Sequence, residues 1–71
     1  MYQNNYTAII KQDNGCWIGW IEEVPGVNCQ ECTKEELLIS LKITLEELLE
    51  LNREDAIGLA GQNYQEELVC V

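Results

Sequence analysis

Residues 16–21, Cys-Trp-Ile-Gly-Trp-Ile, constrain the fold more than any other stretch of this chain. The run is rich in β-formers and reads as a strand. Side chains alternate across a strand, so Cys16, Ile18 and Trp20 share one face, and Trp17, Gly19 and Ile21 share the other. Both faces are apolar, the pattern of a central strand covered on two sides. The chain has 71 residues, room for one domain. A domain of that size buries only about 60% of the surface its unfolded form exposes. If one layer covers one face of this strand, a partner or a second subunit is expected on the other.

The neighbouring segments supply the rest of a small sheet. Residues 5–12 contain a second β-rich run, and Asp13-Asn14-Gly15 separates it from the strand at 16–22. Asn and Gly tolerate the positive φ of a tight turn, so the two runs read as a hairpin. Pro25-Gly26 then marks a turn, because proline cannot donate to a strand ladder. A short third strand is expected over 27–31 and a fourth over 67–71, where Leu68-Val69-Cys70-Val71 closes the chain.

One long helix is expected over residues 34–52. Thr33 and Glu36 have the spacing of a capping box, in which each side chain satisfies an unpaired backbone amide of the other residue. At 100° per residue Leu37, Leu38, Leu41, Leu45, Leu48, Leu49 and Leu51 form one broad apolar stripe that would pack on the sheet. Ile39 and Ile43 fall off that stripe, one turn apart on the acidic side with Glu46, Glu47 and Glu50. Residues 53–65, with Gly58 and Gly61, read as a fraying end and a loop. The expected class is therefore α+β, in the order β-β-β-α-β: a small mixed sheet with one helix on one face, as a single domain over 1–71.

Thirteen acidic side chains stand against four basic ones, a formal net charge of −9. Nucleic-acid binding needs clustered Lys and Arg, whereas Lys11, Lys34, Lys42 and Arg53 are scattered. Direct contact with DNA or RNA is not expected, and a basic protein partner suits the sign of the charge. No apolar stretch is long enough for a membrane span. No basic segment precedes an apolar run at the N-terminus, so no secretory signal is expected. A cytoplasmic location and four reduced cysteines follow.

The residues argue against catalysis. The chain has no histidine, the commonest general base. Glu22 and Glu23 are adjacent, so in an extended strand they point apart. Cys29 and Cys32 form a C-x-x-C, but structural zinc usually takes four ligands, often as two such pairs. Cys16 and Cys70 do not make a second pair. Cys32 sits just ahead of a helix start, where a thiolate is stabilised, so a redox or metal role is the alternative to a strand cysteine beside a pre-cap cysteine. No catalytic, cofactor-binding or metal residue is assigned, and no cofactor is expected.

In order along the chain, Tyr6-Thr7-Ala8-Ile9-Ile10, then 17–27 with its Pro25-Gly26 turn, then Thr33 opening a Leu-rich helix through Leu48-Leu49-Glu50-Leu51, resemble the N-terminal domain of HicB-type antitoxins. The likeness spans about residues 5–56. It implies a partial ribonuclease-H-like sheet, with its last strand beside and parallel to the first, and no nuclease chemistry. It also implies that the domain neutralises a small basic toxin, an mRNA-cleaving nuclease of double-stranded-RNA-binding fold with an essential histidine. Dimers or tetramers are implied too. Many members add a C-terminal DNA-binding domain, for which this sequence has no room, so operator binding is not expected of this chain itself.

The expected function is thus non-enzymatic protein binding. The candidate interface residues are Trp17, Trp20, Ile39, Ile43, Glu46, Glu47 and Glu50. Large aromatic anchors carry much of the energy of protein interfaces, and acidic side chains steer a basic partner. The alternative is a homo-oligomeric assembly protein with no toxin partner, using the sheet face and the two isoleucines for itself.

Overall fold

The computed structural model describes residues 5–70. Among these residues, strands β1 (Ala8–Asp13), β2 (Cys16–Ile21) and β3 (Asn28–Glu31) precede one helix, α1 (Lys34–Ala60). The strands form one sheet in the order β1-β2-β3, antiparallel at both junctions. The class is α+β, as expected, but the sheet among the described residues is purely antiparallel rather than mixed.

The β1–β2 hairpin follows from its turn. Asp13 pairs with Cys16, leaving a two-residue loop. Asn14 and Gly15 there have φ of 53° and 80°, the positive values that a type I′ turn requires at both positions. After β2 the chain turns through Pro25 and Gly26 (φ 96°), with proline before a positive-φ glycine as a type II turn uses them. This loop is part of the core, because Val24 and Val27 on either side of the turn are both buried. The Ile21 amide donates to the Val27 carbonyl at 3.2 Å. β3 therefore begins only at Asn28.

A polar clasp closes the same end of the hairpin. The Thr7 amide donates to Glu23 Oε1 at 2.8 Å, and its hydroxyl donates to Oε2 at 2.7 Å. The backbone bond first, and the hydroxyl second, hold the Glu23 carboxyl below its ordinary value of 4.5. A carboxyl lowered on folding adds stability above its unfolded pKa, and that stability disappears as pH falls through the folded pKa. The melting temperature of Glu23→Ala should accordingly lie below wild type at pH 7. The gap should close on acidification from about pH 4.5 downward; a gap independent of pH would contradict the clasp.

The helix starts where the sequence places it. Thr33 is extended (φ −127°, ψ 157°), and its Oγ1 accepts from the Glu36 amide at 3.1 Å. The reciprocal contact differs from the expected capping box: the Glu36 carboxylate accepts the Thr33 hydroxyl at 3.0 Å. Leu37, Leu41 and Leu45 then recur every fourth residue and are the buried residues of the helix. With Ile21, Val24 and Val27 they make the core, and Ile10, Trp17, Leu48 and Leu49 pack around it.

Gly19 lets the helix approach the central strand. A Cβ there would lie 2.9 Å from Ile10 Cγ2, 3.0 Å from the Ile9 carbonyl oxygen and 3.2 Å from Leu37 Cδ2. Two polar contacts tie the helix to β3: Ser40 donates to Glu31 Oε2 at 2.7 Å, and Cys29 Sγ lies 3.6 Å from Thr44 Oγ1. The helix is thereby seated toward the β2–β3 side of the sheet.

Three expectations about the C-terminal half are corrected. The helix does not end near 52 but runs to Ala60, where Gly61 (φ 72°) stops it and donates its amide to the Ile57 carbonyl at 3.1 Å. Twenty-seven residues make α1 about 40 Å long, against about 20 Å for a six-residue strand, so its second half passes beyond the sheet. Leu51 is therefore exposed although it falls in the predicted stripe, and Leu38 is exposed at the stripe's flank. The fourth strand expected over 67–71 is not formed: residues 67–70 pair with no strand, and Leu68 and Val69 are exposed. Val71 lies outside the described residues.

Residues 61–70 instead turn back beside the helix. Arg53 donates from Nη1 and Nη2 to both oxygens of Glu66, each at 3.1 Å. This fork, with its attractive charge, holds the Glu66 carboxyl below its ordinary value. The molecule is elongated, 51 × 23 × 15 Å, with a radius of gyration of 15.1 Å. A compact chain of this length would have a radius of about 11 Å.

Candidate functional site

The parity of β2 separates the two tryptophans, and the helix decides which is which. Trp17, Gly19 and Ile21 face the helix; Trp17 is half-buried and packs on the core. Trp20 lies on the opposite face and is 38% exposed. The register lines up its surroundings: Trp20 sits between Ile9 on β1 and Asn28 on β3, and Ile18 between Lys11 and Gln30. Because paired residues share a face, the outer surface comprises Ile9, Lys11, Asp13, Cys16, Ile18, Trp20, Asn28 and Gln30. Its centre is apolar and its margins are polar. No other element of the described chain packs there, and an open depression beside Trp20 is lined by Ile18, Asn28 and Gln30.

The helix carries a second exposed surface. Ile39 and Ile43 are 60% and 52% exposed, side by side at one-turn spacing. They lie on the side of the helix turned away from Leu37, Leu41 and Leu45. Glu46, Glu47 and Glu50 are exposed around the same side. Among the described residues neither Ile39 nor Ile43 is buried by the tail.

The candidates thus divide into three groups. Trp20 belongs to the outer sheet face. Ile39, Ile43, Glu46, Glu47 and Glu50 belong to the back of the helix, the opposite outer surface of a two-layer molecule. Trp17 joins neither, being placed between the layers. A rigid partner seated on Trp20 does not reach Ile43 without wrapping around the domain.

No family model, curated protein or solved structure matches this chain. The surfaces have to be judged on their own chemistry.

That chemistry suits recognition by contact. An apolar centre with a polar rim is an arrangement that interaction surfaces use. Cys29 is turned toward the helix and Thr44, while Cys32 is exposed, so the two sulfurs of the C-x-x-C have different surroundings. Among the described residues no three Cys, Asp or Glu side chains are grouped as metal ligands. Among the same residues no helix is long and apolar enough to cross a membrane.

Tyr6, Ala8, Ile21, Leu38, Leu41 and Leu45 line a groove between β1 and α1, with the exposed Lys42 beside them. It arises because the helix sits toward β2 and β3, a displacement that periodicity alone does not encode. Ser40 and Thr44, spaced four apart beside the leucine stripe, were the available signal: they mark the side of the helix that meets polar groups of β3.

Proposed function

We propose that this chain is a non-enzymatic binding domain whose outer sheet face receives a small basic protein. The role is the one its resemblance to HicB-type antitoxins implies, the masking of an mRNA-cleaving toxin in the cytoplasm. The observation that carries the reading is Trp20, held exposed at the centre of an apolar face that helix α1 does not cover. A tryptophan anchored on a rigid central strand gives up little conformational freedom on binding and buries a large area. The net charge of −9 supplies long-range attraction for a basic partner. On this reading the domain is a trimmed form of the partial ribonuclease-H-like sheet. It makes no direct contact with nucleic acid and uses no cofactor.

A second reading has its own observation. Ile39 and Ile43, exposed on the helix away from the sheet, suit a homo-oligomer with no toxin.

Co-expression with a small basic protein encoded beside this chain tests the first reading. It should yield a complex that survives purification, weakens with rising salt, and loses at least tenfold in affinity on Trp20→Ala. A chain that purifies without such a protein, or a complex indifferent to Trp20→Ala, would contradict it.

A further inference from the structure

The register of the sheet brings together two cysteines that lie far apart along the chain. Across the β2–β3 junction Trp20 pairs with Asn28, Gly19 with Cys29, Ile18 with Gln30 and Trp17 with Glu31. One step further, the same register sets Cys16, the first residue of β2, opposite Cys32, the residue after β3. The backbone is still extended just beyond, at Thr33 (φ −127°, ψ 157°). Parity puts both thiols on one face. Cys29 meets Thr44, and Glu31 accepts from Ser40, so these two side chains of β3 face the helix. Cys32 then falls on the outer face, the face of Cys16.

The hydrogen bonds set the spacing of the pair. The Ile21 amide donates to the Val27 carbonyl, which makes Ile21–Val27 a bonded pair in the same register. Bonded and non-bonded pairs alternate along an antiparallel ladder. Gly19–Cys29 and Trp17–Glu31 are therefore bonded positions, and Ile18–Gln30 and Cys16–Cys32 are non-bonded ones. The Cα atoms of a non-bonded pair stand about 4.5 Å apart, within the span of about 4.4–6.8 Å that a disulfide bridges. Cys29 and Cys32, the C-x-x-C, fail the same test. They are three residues apart on extended chain, about 10 Å, with their side chains on opposite faces. Cys70 lies in a segment that pairs with no strand.

We infer that Cys16 and Cys32 are a cross-strand redox pair, free thiols under reducing conditions and closed to a disulfide by exchange with a low-molecular-weight disulfide such as oxidised glutathione. Cys32 is exposed and Cys16 half-buried, which orders the steps. The Cys32 thiolate attacks one sulfur of the small disulfide and expels the other as a thiolate. The Cys16 thiolate then attacks Cys32 Sγ, and the second small thiolate leaves. Two protein thiols are oxidised, one small disulfide is reduced to two thiols, and the two protons pass to the departing thiolates. The new bond fastens the start of α1, capped by Thr33, to the central strand. In a reducing compartment such a bond is transient and redox-sensing rather than structural. Cys16 is four residues along β2 from Trp20, about 13 Å, so closure does not depend on whether a basic protein docks there.

Peptide mapping of the full chain, equilibrated at low concentration with oxidised and reduced glutathione and then alkylated, tests the pair. A glutamate-specific protease cuts after Glu22, Glu23, Glu31 and Glu35, which places Cys16, Cys29 and Cys32 on separate peptides. The folded chain should give the Cys16–Cys32 linkage about tenfold or more above Cys29–Cys32, because only the first pair meets disulfide geometry. Cys16→Ser should abolish the linkage and leave Cys32 as a glutathione adduct. In concentrated urea, with the register lost, the nearer pair Cys29–Cys32 should take over, since the shorter loop closes more readily. A folded chain that links Cys29 to Cys32, or that carries glutathione adducts and no internal bond, would overturn the inference. So would oxidation that joins separate chains through Cys70 and leaves Cys16 and Cys32 alkylated.

Discussion

Leu37→Ala is expected to lower the unfolding free energy by about 2–5 kcal/mol, the range for truncating a buried leucine. Leu37 has no solvent exposure, lies against Gly19 and stands at the head of the Leu37–Leu41–Leu45 series. The core it belongs to has six buried residues among those described. A domain of this length has only about 4–11 kcal/mol of stability in all, so the loss is a large part of the total. Urea titration followed by far-ultraviolet circular dichroism should place the midpoint of Leu37→Ala far below wild type. Leu38→Ala, one residue along and exposed, should move it by much less. Equal losses at the two positions would mean that the helix packs on the sheet in a different rotation.

Gly19→Val should destabilise the domain by more than about 1–3 kcal/mol, the usual cost of overpacking a well-filled site. Propensity alone predicts the opposite sign, because valine is favoured and glycine disfavoured in a strand. Space decides the outcome. The first added carbon would lie 3.0 Å from the Ile9 carbonyl oxygen, a backbone atom that moves only with β1, and 2.9 Å from Ile10 Cγ2. The branches of valine would press on Leu37 as well. The urea midpoint is again the measurement, and a stabilised Gly19→Val would show that the helix stands farther from β2 than the structure places it.

The parts of the fold that were legible in the sequence depend on local chemistry. Asn14-Gly15 sets a turn that few other pairs can make, and Thr33 satisfies an amide three residues ahead of it. Strand parity separates Trp17 from Trp20 whatever the sheet packs against, and the helix then assigns Trp17 inward and Trp20 outward. The parts that were not legible depend on where elements end in space. The leucine stripe continues to Leu51, but periodicity does not report that the sheet beneath has already stopped. Residues 53–60 lack a core face, yet their amides continue the helix until Gly61 turns the chain. Leu68 and Val69 have the composition of a strand, but a short strand has no stability without an edge to join, and the Arg53–Glu66 fork holds this one beside the helix.

The candidate interface was legible to a similar depth. Ile39 and Ile43 lie exposed beside Glu46, Glu47 and Glu50, as their angular positions on the helix predict. What the angles do not reveal is that this cluster and Trp20 occupy opposite surfaces of the molecule. One partner on the sheet face therefore leaves the acidic helix to steer encounter rather than to form the bound contact. Glu46→Gln/Glu47→Gln/Glu50→Gln would then act on the association rate, and Trp20→Ala on dissociation.

Accessibility of Trp20 is the most direct probe of the idea that the uncovered sheet face is where a basic protein sits. In a Trp17→Phe background the remaining indole reports that face alone. Acrylamide should quench its fluorescence readily in the isolated chain and several-fold less once the co-expressed basic protein is bound. Quenching that stays the same in a stable complex would place the partner elsewhere and contradict the assignment.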